Sequence, residues 1–328
     1  MHATHAADIS ESPLAGRARL VEGMKGMLMA YSTDVLDLIG NTPLIKLTRF
    51  TDLSVYAKAE FLNPGGSIKD RVAKHIIFEA EKNGTLEPGM PIVEATSGNT
   101  GIGIALVGVQ RGHPVKIVMP DNMSEERKKI IRALGADLIL TPGAEGVDEA
   151  VRVANEIAER ENGWRLSQFD NPLNPETHYL FTGPEIWQSL EGKVHAFVAG
   201  VGSGGTLGGV GRFLKERAPS VRIIAVEPKQ TAALLCQEPG LHAIQGIGDG
   251  FVPSCLDTQL IDDLITVSDE DAIRVTRELA RTQGLLVGTS SGANVWAASY
   301  VARALGPTYN VVTVLPDRAE RYFSTALI

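Results

Sequence analysis

The 328-residue chain predicts an α/β fold: two domains, each with a largely parallel twisted sheet flanked by helices. Three observations carry this. From Val55 onward, short apolar, β-branched runs alternate with stretches of helical period, an order that needs a crossover helix between parallel strands. Glycine-rich turns fall where such strands pass into helices, the positions at which these sheets bind ligands. The length suits one large or two medium domains with a substantial core.

The strands predicted in order are Val55–Phe61, Ile92–Ala95, Val115–Met119, Asp137–Leu140, Ala196–Ala199, Ile223–Val226, Leu264–Val267 and Val311–Leu315. Helical period fills Gly101–Gln110, Glu125–Leu134, Val147–Arg160, Pro184–Leu190, Leu207–Glu216 and Asp269–Thr282. One more helix is marked by its ends. Ser67 and Asp70 have capping-box spacing, Val72 to Ala80 is apolar-periodic, and Asn83-Gly84 supplies the stop. Ser268 and Asp271 form a second capping box. The Asn/Pro-rich stretch Asp170–Pro175 marks a crossing between an N-terminal domain, 31–175, and a C-terminal domain, 176–328. The first strands are able to join the sheet of the other domain.

Composition narrows the class. The 44% hydrophobic and 21% charged content is that of a soluble globular protein. A net charge of −8 argues against nucleic acid or an anionic membrane as partner. The longest apolar run, Ile102 to Val109, is too short to span a bilayer. Cys236 and Cys255 match neither a metal spacing nor a disulfide framework, which fits a reducing cytoplasm. Residues 1–30 carry no periodic pattern and no signal-peptide core; they read as a disordered extension. Asp8, Glu11 and Glu22 count against a transit peptide, and Met24, Met27 and Met29 offer alternative start positions. His2 and His5 lack a third metal ligand, so no metal site is expected.

Lys69 occupies an unusual place. It falls in the first turn of a helix, at the positive end of the dipole, where an ammonium ion is disfavoured. A lysine pushed toward its neutral amine can attack a carbonyl; a solvated surface lysine is the plainer alternative.

Three turns follow strands. Thr96-Ser97-Gly98-Asn99-Thr100-Gly101 offers small hydroxyls and N–H groups to a carboxylate or phosphate, or is an ordinary capped turn. Gly200-Val201-Gly202-Ser203-Gly204-Gly205-Thr206 satisfies G-x-G-x-x-G, with Glu227 ending a further strand at the distance a dinucleotide fingerprint requires. An NAD-dependent oxidoreductase is therefore a rival reading. The chemistry common to both is a phosphate held by N–H groups at a helix start. Gly288-Thr289-Ser290-Ser291-Gly292 matches a nucleophile elbow, but the last histidine is His242, so a serine hydrolase fails. Ser290 remains a hydrogen-bonding group at the end of a strand, Leu285–Val287.

Taken together and in order, six segments resemble the cysteine synthase (O-acetylserine sulfhydrylase) family of fold-type II pyridoxal-phosphate enzymes. They are Gly40-Asn41-Thr42-Pro43-Leu44, Pro64–Arg71, Thr96–Gly101, Gly202–Thr206, Gln245-Gly246-Ile247-Gly248 and Gly288–Ala293. The resemblance runs from about Asp34 to the C-terminus. It implies that pyridoxal 5'-phosphate lies in the cleft between the domains, with Lys69 as its Schiff-base lysine. Asn99 then bonds the cofactor's phenolic oxygen, Gly202, Ser203, Gly204, Gly205 and Thr206 hold its phosphate, and Ser290 faces the pyridine nitrogen. Thr96, Ser97, Gly98, Thr100 and Gln168 take the substrate's α-carboxylate, and Gly246 lies in the entrance segment.

The implied reaction is β-replacement: O-acetyl-L-serine loses acetate through an α-aminoacrylate, and sulfide adds to give L-cysteine. Cystathionine β-synthase or β-cyanoalanine synthase activity on the same scaffold is the alternative. The family also implies a homodimer, with the C-terminal tail of serine acetyltransferase as a partner. The chain departs from the family pattern at Ser203, at Ala243, at Asp249, where a small neutral residue is usual, and at Arg318-Ala319, where Ser-Gly is usual. Between Lys229 and Arg274 there is no lysine or arginine. A phosphate leaving group needs a cation, so an acetyl ester is expected over phosphoserine.

Overall fold

A computed structural model describes residues 31–237, 240–325 and 327. The 1–30 extension, with His2, His5 and the methionines named above, lies outside the described residues.

Among the described residues nine strands form two sheets. The smaller holds β3 (Ile92–Ala95), β4 (Val115–Pro120) and β5 (Asp137–Thr141), all parallel. The larger runs in the order β1 (Leu44–Lys46), β2 (Val55–Lys58), β9 (Val311–Val314), β6 (Ala196–Gly200), β7 (Arg222–Pro228), β8 (Asp263–Val267). The edge pair β1–β2 is antiparallel, and the other strand pairs of this sheet among the described residues are parallel. The first two strands thus belong to the sheet built mainly from the second half of the chain.

The helices among the described residues are α1 (Lys69–Asn83), α2 (Asn99–Gln110), α3 (Glu125–Ala133), α4 (Gly146–Glu161), α5 (Leu173–Thr177), α6 (Gly183–Ser189), α7 (Gly205–Arg217), α8 (Asp269–Gln283) and α9 (Thr289–Leu305). A π-helical turn, His178–Thr182, joins α5 to α6.

Parallel strands covered on both faces read as unbroken apolar runs, and here alternate residues divide between two cores. On β6, Ala196 and Val198 pack with α8 and α9, while Phe197 and Ala199 pack with α7. On the smaller sheet, Ile92, Val115 and Ile117 face α1 and α2, while Val93, Ala95 and Val118 face α4. Each large aliphatic side chain buried this way contributes about 1.5–3 kcal/mol.

Several expectations are corrected. The Ser67–Asp70 capping box does not form: Ser67 Oγ accepts from Lys69 N at 3.3 Å, and Asp70 reaches back to Gly65 N at 2.6 Å. The Gly65-Gly66 turn passes so close that the carboxylate meets it before it can reach Ser67. The second box holds, with Ser268 Oγ accepting from Asp271 N at 3.1 Å. Leu285–Val287 is no strand, and Ser290 lies in the first turn of α9. That helix gave no amphipathic signal because it is buried on almost every side. Asp170–Pro175, read as a crossing, lies where the chain passes from one sheet to the other; it runs into α5, and Asn174 is fully buried. Strand β1 went unread because three residues cannot show a period.

Candidate active site

A cavity of about 730 Å³ opens between the two sheets, and every site residue singled out from the sequence lines it. The starts of α1, α2, α7 and α9 converge there.

Lys69 is the first residue of α1 and is half-buried; its Nζ donates to Ser203 Oγ at 3.0 Å, bridging the two lobes. Burial pushes its ammonium down to about 8, against the pull of Asp249 and Cys255. Loss of water, more than the helix end, is what brings this amine close to neutrality.

The turn after β6 is a cradle of donors. Gly204 caps α7 with φ +78°. The N–H groups of Gly202, Ser203, Gly204, Gly205 and Thr206 have no protein acceptor among the described residues. Its glycines answer to crowding: a Cβ on Gly202 would lie 2.5 Å from Gly246 O, and one on Gly205 would lie 2.0 Å from Asn174 Oδ1. Asn174 Nδ2 donates to Ser203 Oγ at 2.9 Å. Beneath Thr206, the π turn presents His178, with Nε2 3.4 Å from Thr206 Oγ1 and Nδ1 2.9 Å from Thr182 Oγ1. Burial, helped by Lys69 and Arg71, holds that imidazole well below its usual range, hence neutral. Free N–H groups at a helix start, beside an amine, suit the phosphate and aldehyde of pyridoxal phosphate.

The turn after β3 is a second cradle. Ser97, Asn99, Thr100 and Gly101 carry N–H groups with no protein acceptor among the described residues. Thr96 Oγ1 instead accepts from Gly98 N at 3.2 Å, and Thr100 Oγ1 donates to Gln168 Oε1 at 2.6 Å. Gln168 follows Ser167, whose φ of +54° is strained for a residue with a side chain. The buried Glu94 holds that strain, accepting from Leu166 N at 2.9 Å and from Ser167 N at 3.1 Å.

Ser290 is buried, and its hydroxyl makes no hydrogen bond to a described residue. A Cβ on Gly246, in the entrance segment with φ +91°, would lie 3.9 Å from its Oγ. Asp249 also lines the cavity, and burial raises its carboxyl despite Lys69 and His242.

Sequence reading missed several supporting groups. Arg127 donates to Ser97 O at 3.2 Å and lies 5.1 Å over the Tyr322 ring. Asn294 Oδ1 accepts from Gly200 N at 2.8 Å. Asp317 and Arg321 both grip Asn99. No local pattern marks such residues, because their partners lie far along the chain.

The dinucleotide reading loses its acidic residue. Glu227 is buried on β7, and its Oε2 accepts from Leu234 N at 3.1 Å, so it is committed to the backbone. Among the described residues no cluster of three or more His, Cys, Asp or Glu could hold a metal ion, and no helix is long and apolar enough to cross a membrane.

Comparison with known proteins agrees with this geometry. The family described as "Pyridoxal-phosphate dependent enzyme" matches residues 35–317. A cysteine synthase of Staphylococcus aureus is 47% identical over 298 residues, which cover 90% of this chain and 96% of that protein. Among solved structures, an O-ureido-L-serine synthase is 43% identical with a TM-score of 0.88, covering 90% of this chain and 95% of that one. An O-acetylserine dependent cystathionine β-synthase from Helicobacter pylori is 43% identical with a TM-score of 0.86, covering 91% and 99%. The glycine-rich turn with its free N–H groups, the half-buried lysine beside it and a match over most of the sequence lead to one family: the chain belongs to the pyridoxal-phosphate dependent enzymes.

Proposed function

We propose that the chain makes L-cysteine from O-acetyl-L-serine and sulfide by β-replacement. The observation that carries this is the placement of Lys69 Nζ 3.0 Å from Ser203, in a turn with five consecutive unsatisfied N–H groups. Bound pyridoxal phosphate supplies the electron sink for a carbanion at the substrate's Cα.

The chain's own residues do the rest. The N–H groups of Gly202 to Thr206 hold the phosphate, and the Ser290 hydroxyl meets the ring nitrogen as a neutral partner. The turn at Thr96, Ser97, Gly98 and Thr100, with Gln168, orients the substrate's carboxylate. Lys69 tethers the cofactor and, once released, takes the proton from Cα, a task suited to an amine poised near the working pH. Acetate then leaves Cβ, sulfide adds there in its place, and Lys69 returns the proton to Cα.

The entrance segment from Gln245 to Asp249 brings a carboxylate and no lysine or arginine, which supports an acetyl ester over phosphoserine as donor. Faster turnover of phosphoserine would overturn that preference. Because structural relatives include a cystathionine β-synthase, homocysteine and cyanide belong in the nucleophile panel, with sulfide expected fastest. The family reading also carries a homodimer, a cytoplasmic setting and the C-terminal tail of a serine acetyltransferase as partner. Light scattering and titration of that peptide check the first and last.

The direct test is the purified protein's colour. Wild type loaded with pyridoxal phosphate is expected to be yellow, to bleach with borohydride and to form cysteine; Lys69→Ala is expected to do none of these. A colourless wild type that binds NAD would refute the reading.

A further inference from the structure

Asn99 opens α2, and both ends of its amide are held by the C-terminal segment. Its Nδ2 donates to Asp317 Oδ2 at 2.6 Å, and its Oδ1 accepts from Arg321 Nη1. Asp317 is buried and also accepts from the Tyr322 hydroxyl. It is braced against the start of α9: its carbonyl accepts from Gly288 N at 3.1 Å, and its Oδ1 lies where a Cβ on Gly288 would come within 2.2 Å. Arg321, also buried, donates through Nη2 to the carbonyl of Gly65, in the turn that leads to Lys69. Its own carbonyl accepts from Ser124 Oγ at 3.0 Å.

This arrangement allows the Asn99 amide one orientation. Turned over, its oxygen would face a carboxylate and its NH₂ a guanidinium, and both contacts repel. With one N–H given to Asp317 and Oδ1 taken by Arg321, the Asn99 amide, which lines the cavity, keeps one further N–H to donate. The guanidinium on the amide oxygen strengthens that donor, while Tyr322 draws off part of the charge of Asp317.

We propose that Asp317 and Arg321 are positioning residues that lock Asn99 as a one-way donor to the phenolic oxygen of bound pyridoxal phosphate. Arg321 additionally ties this donor to the turn before Lys69, so that amide and amine keep a fixed separation. The inference rests on the cofactor reading above, and the test separates the two.

The full chain is loaded with pyridoxal phosphate, and its visible and near-UV bands are compared at one pH, together with its affinity for the free cofactor. A fixed donor favours the anionic oxygen and hence the visible band. Loss of a charge-assisted hydrogen bond is expected to lower the visible-to-near-UV ratio about tenfold in Asn99→Ala, and Asp317→Ala and Arg321→Ala should approach the same value. Asn99→Ala/Asp317→Ala should fall no further than Asn99→Ala alone, because Asp317 acts only through Asn99. Asp317→Asn keeps an acceptor oxygen and should stay near wild type. If Asp317→Ala does not fold, the Asn99→Ala/Arg321→Ala pair makes the same comparison. A wild-type ratio in Asp317→Ala and Arg321→Ala, or double variants that fall by the product of the singles, would overturn the proposal. A wild type that stays colourless with pyridoxal phosphate overturns the cofactor reading itself.

Discussion

Lys69 is pushed down to about 8 because the cleft removes water from its ammonium form, while Asp249 and Cys255 resist. Two predictions follow from that balance. Cofactor uptake by the cofactor-free protein needs the neutral amine, so its rate should rise about tenfold per pH unit below pH 8 and level off above it. Since Asp249 raises the Lys69 value, Asp249→Ala should move that levelling to lower pH; stopped-flow absorbance shows whether it does. At Gly202 the limit is space. A Cβ there would lie 2.5 Å from Gly246 O, so Gly202→Ala is expected to open the cradle and weaken cofactor affinity in equilibrium dialysis while Lys69 stays reactive. These positions stood out in the sequence because lysine chemistry and glycine-rich turns have local signatures. Arg127, Asp317 and Arg321 did not, for an arginine or aspartate looks the same in sequence whether it faces water or a buried amide.

Elements were legible where burial is one-sided. Helix α8 combines a Ser268 cap, an apolar stripe and Gly284 at its end with φ +69°. Helix α1 ends at Gly84 with φ +78°, and nothing lies within 4 Å of a Cβ built there. Gly84→Ala should therefore cost only the left-handed backbone penalty, about 1 kcal/mol, read as a lowered thermal midpoint. Helix α9 was not legible, because burial all round erases the period. The loop after α4 is held by a buried contact from β3: Glu94 secures the strained Ser167 and so aims Gln168. Glu94→Ala strands two buried N–H groups, a loss of about 2–4 kcal/mol, and should raise the donor KM more than it lowers kcat. Glu94→Gln keeps an acceptor and should stay close to wild type in both constants.

Across the whole molecule, a buried charge cluster joins the two sheets. Lys58 of β2 and Arg71 of α1 share Glu185 of α6, at 2.6 and 2.7 Å, and Arg71 also reaches Glu60 at 2.7 Å. Burial alone would raise both carboxyls, but Arg71 and Lys58 outweigh it and hold them below 4.5. Below that pH the unfolded chain takes up protons that the folded carboxyls refuse, so the contribution of Glu60 and Glu185 is present above about 4.5 and is lost as the pH falls further, whereas burial lowers Lys58 and works against the cluster. Arg71→Met should cost about 3–5 kcal/mol at pH 7 and flatten the acid side of the stability curve, as thermal unfolding at a series of pH values will show. By itself the sequence determined the α/β class and the strand–turn–helix junctions after β3 and β6, and it marked the glycine-rich turn and Lys69, since each rests on periods and turn chemistry within a few residues. Only the tertiary structure decided which N–H groups are left free, how dry Lys69 is and which way Asn99 points. Those properties come from burial and from partners such as Asp317, 218 residues away, and no local pattern encodes a neighbour that only folding supplies.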